Sequence, residues 1–289
     1  MDASAFVIRA YALSKTYCLP GGRWVEGLAP TSFEIPSGAC LGVVGEGAAG
    51  KTTLLRLLAG QVQPTGGKLI YAEGLSPQSC FLSNSDENPL PDDPQPHPPS
   101  GLPTEASQSD TAVFSALQTV GEALRLRLAR DLLRPEPILL LDDPPGLNEN
   151  TARAIRPAMD AHLRERGTAL IIATRDADVA LILCSRILVL RAGHLVRDAS
   201  VSGLIGGPGG RTPCLIRLRG HLDARRMDWF GGLEMHIHDS DTILTGVLPD
   251  EHAVYGMIER ARDLGLALIS VETGWRAARA QLVEWMRIG

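Results

Sequence analysis

Apolar residues along the chain fall into two kinds of pattern. Continuous short runs, Cys40-Leu41-Gly42-Val43-Val44, Ile138-Leu139-Leu140-Leu141 and Thr168 to Thr174, predict strands buried on both faces. Spaced patterns predict helices. Leu54, Leu55, Leu57 and Leu58 form one buried face of a helix that starts near Lys51 and stops at Gly60, and Leu124, Leu128 and Leu132 lie along another. At the N-terminus, Phe6 to Ala10 and Thr31 to Ile35 read as strands around the Gly21-Gly22 and Pro36-Ser37-Gly38 turns. The pattern changes after Gly206-Gly207-Pro208-Gly209-Gly210. There Cys214–Leu218, Leu233–Ile237, Thr242–Val247 and Leu266–Val271 read as strands, and Glu251–Leu264 and Trp275–Met286 as helices.

A chain of 289 residues with a composition break at that glycine-rich segment suggests a domain over 1–205, a linker over 206–212 and a smaller α+β domain over 213–289. The formal charge of −5 gives no electrostatic reason to expect nucleic acid. Lysine occurs only as Lys15, Lys51 and Lys68, so arginine carries nearly all the positive charge. Cys18, Cys40, Cys80, Cys184 and Cys214 are scattered without metal-like spacing and read as reduced, mostly buried thiols. No secretory signal is evident at Met1-Asp2-Ala3-Ser4. The longest apolar run, Val179 to Leu190, is broken by Arg186 and falls short of a bilayer span.

The most specific chemistry lies between the first buried strand and its helix. Gly45-Glu46-Gly47-Ala48-Ala49-Gly50-Lys51-Thr52-Thr53 fits the phosphate-binding loop G-x-x-x-x-G-K-[ST], with a strand before it and a helix after it. Glycines let backbone N–H groups curl around phosphate oxygens at the helix N-terminus. Lys51 would reach the terminal phosphates and the Thr52 hydroxyl would ligate Mg²⁺, so a nucleotide with Mg²⁺ is the expected ligand. Among the other histidines, His236 and His238 alternate along a strand beside Asp239 and Asp241, which reads better as a solvated strand end than as a metal site.

Strand, turn, strand and phosphate loop, followed by Pro135-Glu136-Pro137 and Ile138-Leu139-Leu140-Leu141-Asp142-Asp143-Pro144, resemble the ATP-binding subunits of ABC transporters over about residues 5–205. Ile187 to Val196 is similar to that family's final hairpin. The resemblance implies an α/β fold: a P-loop NTPase core with an N-terminal antiparallel β subdomain, a helical subdomain and the appended α+β domain. It implies Tyr17 stacking on adenine, Asp142 ligating Mg²⁺ with Thr52, Asn84 in the loop that senses metal and water, and Thr119 and Gly121 in the segment that closes over a partner's ATP.

Departures from the family cluster where chemistry is done. Asp143 stands where Glu orients the attacking water, and Arg175 where a histidine is usual. Arg175 either holds ATP without helping water or pairs with Asp176 or Asp178. Gln118-Thr119-Val120-Gly121-Glu122 replaces the Leu-Ser-Gly-Gly-Gln signature, and the turn Pro145-Gly146-Leu147-Asn148 ends in Asn instead of Asp. The helical subdomain, over 84–117, is shortened and rich in proline between Asn88 and Pro103, leaving only Glu105–Leu117 for a helix.

These features together imply a subunit that binds Mg·ATP at a dimer interface with weak or absent hydrolysis. Its expected partners are a more complete ATPase chain and an integral membrane permease, which would hold it at the inner face of the membrane. The C-terminal domain resembles accessory domains of exporter-type ABC systems with separate ATPase chains. A slow but genuine ATPase homodimer and a soluble nucleotide-sensing protein are the alternatives.

Overall fold

A computed structural model describes residues 6–84, 111–113, 115, 131–132, 134–207, 210–238 and 240–287. The chain divides into two compact units, Met1–Asp198 and Ala199–Gly289.

In the first unit, strands β1 (Phe6–Cys18) and β2 (Trp24–Pro36) form a long antiparallel hairpin, and β4 (Gly66–Tyr71) pairs with the other side of β1. This sheet has the order β2-β1-β4. β1 runs well beyond the Phe6–Ala10 segment expected from pattern. Past Ala10 its pairing is bulged and its residues are mostly half-exposed, which erases the alternation a strand would otherwise show.

A six-stranded sheet, ordered β5-β6-β7-β3-β8-β9, forms the centre. Its strands are β3 (Cys40–Val44), β5 (Cys80–Asn84), β6 (Ile138–Asp142), β7 (Ala169–Thr174), β8 (Arg186–Arg191) and β9 (His194–Ser200). β5, β6, β7, β3 and β8 run parallel, and the three continuous apolar runs become β3, β6 and β7, buried along their whole length. The Ala192-Gly193 turn, both residues with positive φ, joins β8 to β9.

Helix α1 (Lys51–Leu58) packs Leu54, Leu55, Leu57 and Leu58 into the space between the two sheets. There they meet alternate residues of the parallel strands (Leu41, Val43, Ile138, Leu140, Ile171, Leu188) and Ile8, Leu13, Leu28 and Ile35 of the antiparallel sheet. Each of these side chains is at most 1% exposed. Ala59 caps α1 and Gly60, at φ +67°, turns the chain away.

Two further helices were not apparent from the pattern. α2 (Glu149–Arg166) begins at Asn148, whose side chain accepts from the Thr151 backbone N–H at 3.1 Å, and ends at Gly167 in the left-handed region. The asparagine at the end of the turn after Asp143 is therefore a helix cap. α3 (Ala177–Leu183) starts at Asp176, whose carboxylate accepts from the N–H groups of Asp178 and Val179. α3 and β8 share the Val179–Leu190 run. Among the described residues no helix is long and apolar enough to cross a membrane.

The second unit begins before the glycine-rich segment. Helix α4 (Val201–Leu204), capped by the Ser200 hydroxyl, packs with this unit against β12. Strands β10 (Thr212–Arg219), β11 (Leu233–His238), β12 (Asp241–Leu248) and β13 (Ala267–Thr273) form an antiparallel sheet ordered β11-β12-β10-β13. Helix α5 (Glu251–Asp263) packs Val254, Met257 and Ala261 with Cys214, Ile216, Leu218 and Leu244. Helix α6 (Gly274–Arg287) sets Ala277 against Leu215 and Ile243, which alternate with those residues and so lie on the other face.

Candidate nucleotide site

The strand β3 ends at Val44, the loop Gly45–Gly50 turns, and α1 starts at Lys51. Its tightness is set by backbone on three sides. A Cβ on Gly45 would lie 2.3 Å from the Leu190 carbonyl oxygen, and one on Gly50, at φ +100°, would lie 2.6 Å from the Gly27 carbonyl oxygen. The Ala49 carbonyl accepts from the Gly193 N–H at 3.1 Å, and the Gly193 carbonyl accepts from the Ala29 N–H at 2.8 Å. The β8–β9 turn and β2 thus form the floor of the loop. Sequence reasoning identified the loop but not Gly27, Leu190 or Gly193, which touch it through backbone atoms that no motif records.

Lys51 is buried, and its Nζ donates to the carbonyls of Gly45 at 2.6 Å and Glu46 at 3.0 Å. Burial lowers its pKa below the ordinary lysine value, against the pull of the Asp143 carboxylate. At the end of β6, the buried Asp142 carboxylate accepts from the Thr52 hydroxyl, and burial holds its pKa above the ordinary value despite that bond. An ionised carboxylate taken out of water with only partial compensation, beside a hydroxyl oxygen, is a donor set that suits a hard divalent cation. Thr52 and Asp142 therefore fit Mg²⁺, and the loop N–H groups with Lys51 fit a phosphate chain.

Tyr17 lies near the end of β1, half-buried. Gly27 leaves room for its ring, since a Cβ there would sit 2.6 Å from a ring carbon. The Tyr17 hydroxyl is 3.5 Å from the Thr53 hydroxyl, and Lys15 Nζ is 5.3 Å from the ring centroid. The structure therefore brings Tyr17, Thr53, Lys51, Thr52 and Asp142 to one end of the molecule's central strands.

Arg175 pairs with Asp143. Its Nε lies 3.2 Å from Oδ2 of Asp143, while Asp176 is committed to capping α3. Asp143 adopts φ +49° and donates its N–H to the Ala173 carbonyl at 2.9 Å. Asn84 ends β5 opposite Asp142 in register. Thr119 and Gly121, and the proline-rich part of the shortened helical subdomain, lie outside the described residues. In the second unit His236 Nε2 is 3.7 Å from Glu234, and among the described residues no three or more His, Cys, Asp or Glu side chains group together as a metal site would require.

A family profile described as ABC transporter matches residues 28–89, and one described as a domain of unknown function (DUF8691) matches residues 214–272. The aliphatic sulfonates import ATP-binding protein of Granulibacter bethesdensis is 31% identical over 61% of this chain and 78% of that protein. The corresponding protein of Shouchella clausii is 28% identical over 59% of this chain and 73% of that one. Among solved structures, a dimeric ATP-binding cassette in a post-hydrolysis state with ADP and Pi superposes with a TM-score of 0.51 at 20% identity. It covers 67% of this chain and 98% of that one, a likeness of fold. With the phosphate loop, the order of the central strands and these relatives agreeing, the chain belongs to the family of ATP-binding subunits of ABC transporters.

Proposed function

We propose that this subunit binds Mg·ATP at a dimer interface and turns it over weakly or not at all, in company with a more complete ATPase chain and a membrane permease. The single observation behind this is the Arg175–Asp143 ion pair beside an intact set of Lys51, Thr52 and Asp142. A water-orienting carboxylate must accept a proton or a hydrogen bond from water. Asp143 is one methylene shorter than glutamate, and a guanidinium already engages it. Arginine has no acceptor lone pair, so it cannot substitute for a histidine that both donates and accepts. A misplacement of about 1 Å costs on the order of a hundredfold in rate.

Bound Mg²⁺ would supply charge neutralisation between the terminal phosphates. The chain's own residues do the rest. Lys51 and the loop N–H groups bind phosphate, Thr52 and Asp142 orient the cation, and Tyr17 offers its ring to the base. ATP in this reading is a structural ligand more than a fuel. The permease partner would place the subunit at the inner face of the membrane, and the second unit would serve partner contacts. The exporter type rests on the resemblance of that second unit alone, and the relatives named above are import proteins.

The test is to measure Mg·ATP binding by calorimetry and phosphate release on the same preparation. Binding with release below about a hundredth of that of an intact ABC ATPase is the expected result. Brisk release by the chain alone, abolished by Lys51→Ala, would overturn the weak-turnover reading.

A further inference from the structure

At the end of β3 opposite the phosphate loop, two cysteines 144 residues apart in the chain meet: the sulfurs of Cys40 and Cys184 are 3.4 Å apart. Cys40 opens β3, and Cys184 caps α3. Their approach is built into the packing. Ser185 N–H donates to the Cys40 carbonyl at 2.9 Å, and its hydroxyl does so at 3.2 Å, clamping the two backbones together. Gly42 leaves room for the second sulfur, since a Cβ there would lie 3.2 Å from Cys184 Sγ. Both side chains are nearly buried, but they line one wall of a cleft of about 320 Å³ whose other walls include Gly38, Ala39, Arg156, Arg164 and Ser185.

We propose that Cys40 and Cys184 are a redox-modification site, joined into a reversible disulfide by small anionic disulfides such as glutathione disulfide that enter this cleft. A disulfide needs sulfurs about 2.05 Å apart, so each sulfur moves by about 0.7 Å, within reach of side-chain rotation. Arg156 and Arg164 share the cleft lining with Asp160, whose carboxylate lies 3.7 Å from Arg156 Nε, so the lining keeps a single excess positive charge that favours an anionic oxidant. The hydrogen bond to Cys184, with burial, holds the Cys40 thiol well above the ordinary range; Cys184 is taken as the first attacking sulfur and Cys40 as the resolving one.

The exchange balances without another reactant. The Cys184 thiolate attacks one sulfur of glutathione disulfide, its S–S bond breaks, and one glutathione thiolate leaves. Cys40 then attacks Cys184 Sγ in the mixed disulfide and expels the second glutathione. The two protons from the cysteines end on the two departing thiols. The protein pair is oxidised by two electrons and the small disulfide is reduced by two.

The product ties β3, which leads into the phosphate loop, to α3, which begins just after Arg175. Closing a loop of this length stiffens the first unit and raises its melting temperature. The proposal does not depend on whether ATP is hydrolysed.

The test uses the whole chain in native buffer with a glutathione disulfide series, quenched by alkylation and mapped by mass spectrometry. The expected result is a 40–184 cross-linked peptide, reversed by dithiothreitol, with a rise in Tm on the order of 10 °C. Exposed Cys18 is the internal control for non-selective oxidation. Cys184→Ser should abolish the cross-link and leave no glutathione on Cys40. The wild-type map decides independently of any packing change in that variant. Glutathione on Cys18 with residues 40 and 184 still alkylated, or a cross-link that forms only in urea, overturns the proposal.

Discussion

Arg175 Nε and Asp143 Oδ2 are 3.2 Å apart because β6 and β7 are parallel neighbours. Asp142 lies opposite Ala173 in register, so the residues that follow the two strands emerge side by side. The pair is open to solvent, with side chains 63% and 37% exposed for Arg175 and Asp143. Exposed ion pairs contribute about 0–1 kcal/mol to stability. Its importance therefore lies in what it does to the Asp143 carboxylate, which in the proposed function takes the position of the water-orienting group.

Replacing both partners tests that role. Asp143→Glu with Arg175→His lengthens the carboxylate and removes the competing cation, and phosphate release should rise at least tenfold over the parent chain. Each single change should give less than its share, since the remaining partner still misplaces or engages the other. Thermal melts should shift little for any of the three. A double variant no faster than the parent would show that the block lies elsewhere.

The phosphate loop makes a sharper stability prediction from two glycines two positions apart. On Gly45 a new Cβ would meet the Leu190 carbonyl oxygen at 2.3 Å and Ala49 Cβ at 2.7 Å, whereas on Gly47 nothing lies within 4 Å. Gly45→Ala should cost about 1–3 kcal/mol in urea unfolding of the first unit and distort the loop. Gly47→Ala should stay within about 0.5 kcal/mol. Equal effects would mean the loop is not pinned by the β8–β9 turn.

What could be read from residues alone follows from where each signal resides. β3, β6 and β7 are buried on both faces, so Cys40–Val44, Ile138–Leu141 and Thr168–Thr174 appear as uninterrupted apolar runs. The phosphate loop is local in the chain, and its spacing carries its chemistry. β4 escaped notice because its residues are half-exposed or exposed, and α2 because its caps, Asn148 and Gly167, sit inside what reads as a turn and a strand edge. The contacts that change the functional reading, Arg175 with Asp143 and Cys40 with Cys184, join residues 32 and 144 positions apart. They exist only once parallel strands are paired in register, and no local pattern encodes them.

In the second unit, Arg217 on β10 meets Glu284 on α6 at 3.2 Å, and the glutamate side chain is only 10% exposed. Removing Arg217 leaves the poorly solvated Glu284 carboxylate unpaired, whereas Arg217 itself is 37% exposed. Arg217→Met alone should destabilise this unit by about 2–3 kcal/mol, whereas Arg217→Met with Glu284→Leu should come within about 1 kcal/mol of the parent. Chemical unfolding of the whole chain, followed by hydrogen exchange on residues 212–219 and 274–287, separates the two cases. A neutral single variant would show that the pair is solvated enough to be dispensable.

Asp142 couples metal binding to pH with a definite sign. Burial raises its carboxyl above 3.8, against the Thr52 hydroxyl that favours the ion. A folded-state pKa above the unfolded one means the folded chain binds more protons between the two values. The ionised form thus costs stability at neutral pH. That cost is relieved as pH falls through the raised pKa, and the contribution levels off below 3.8. Mg²⁺ requires the ionised form, so Mg-dependent ATP affinity should weaken on acidification earlier than for a solvent-exposed aspartate. Asp142→Asn removes the buried charge while keeping the shape. The nucleotide-free variant should melt no lower than the parent, yet lose at least tenfold of the Mg-dependent part of its ATP affinity. Calorimetric titrations with and without Mg²⁺ between about pH 5 and pH 8 read both effects. Metal-dependent affinity unchanged by the substitution would remove Asp142 from the cation site.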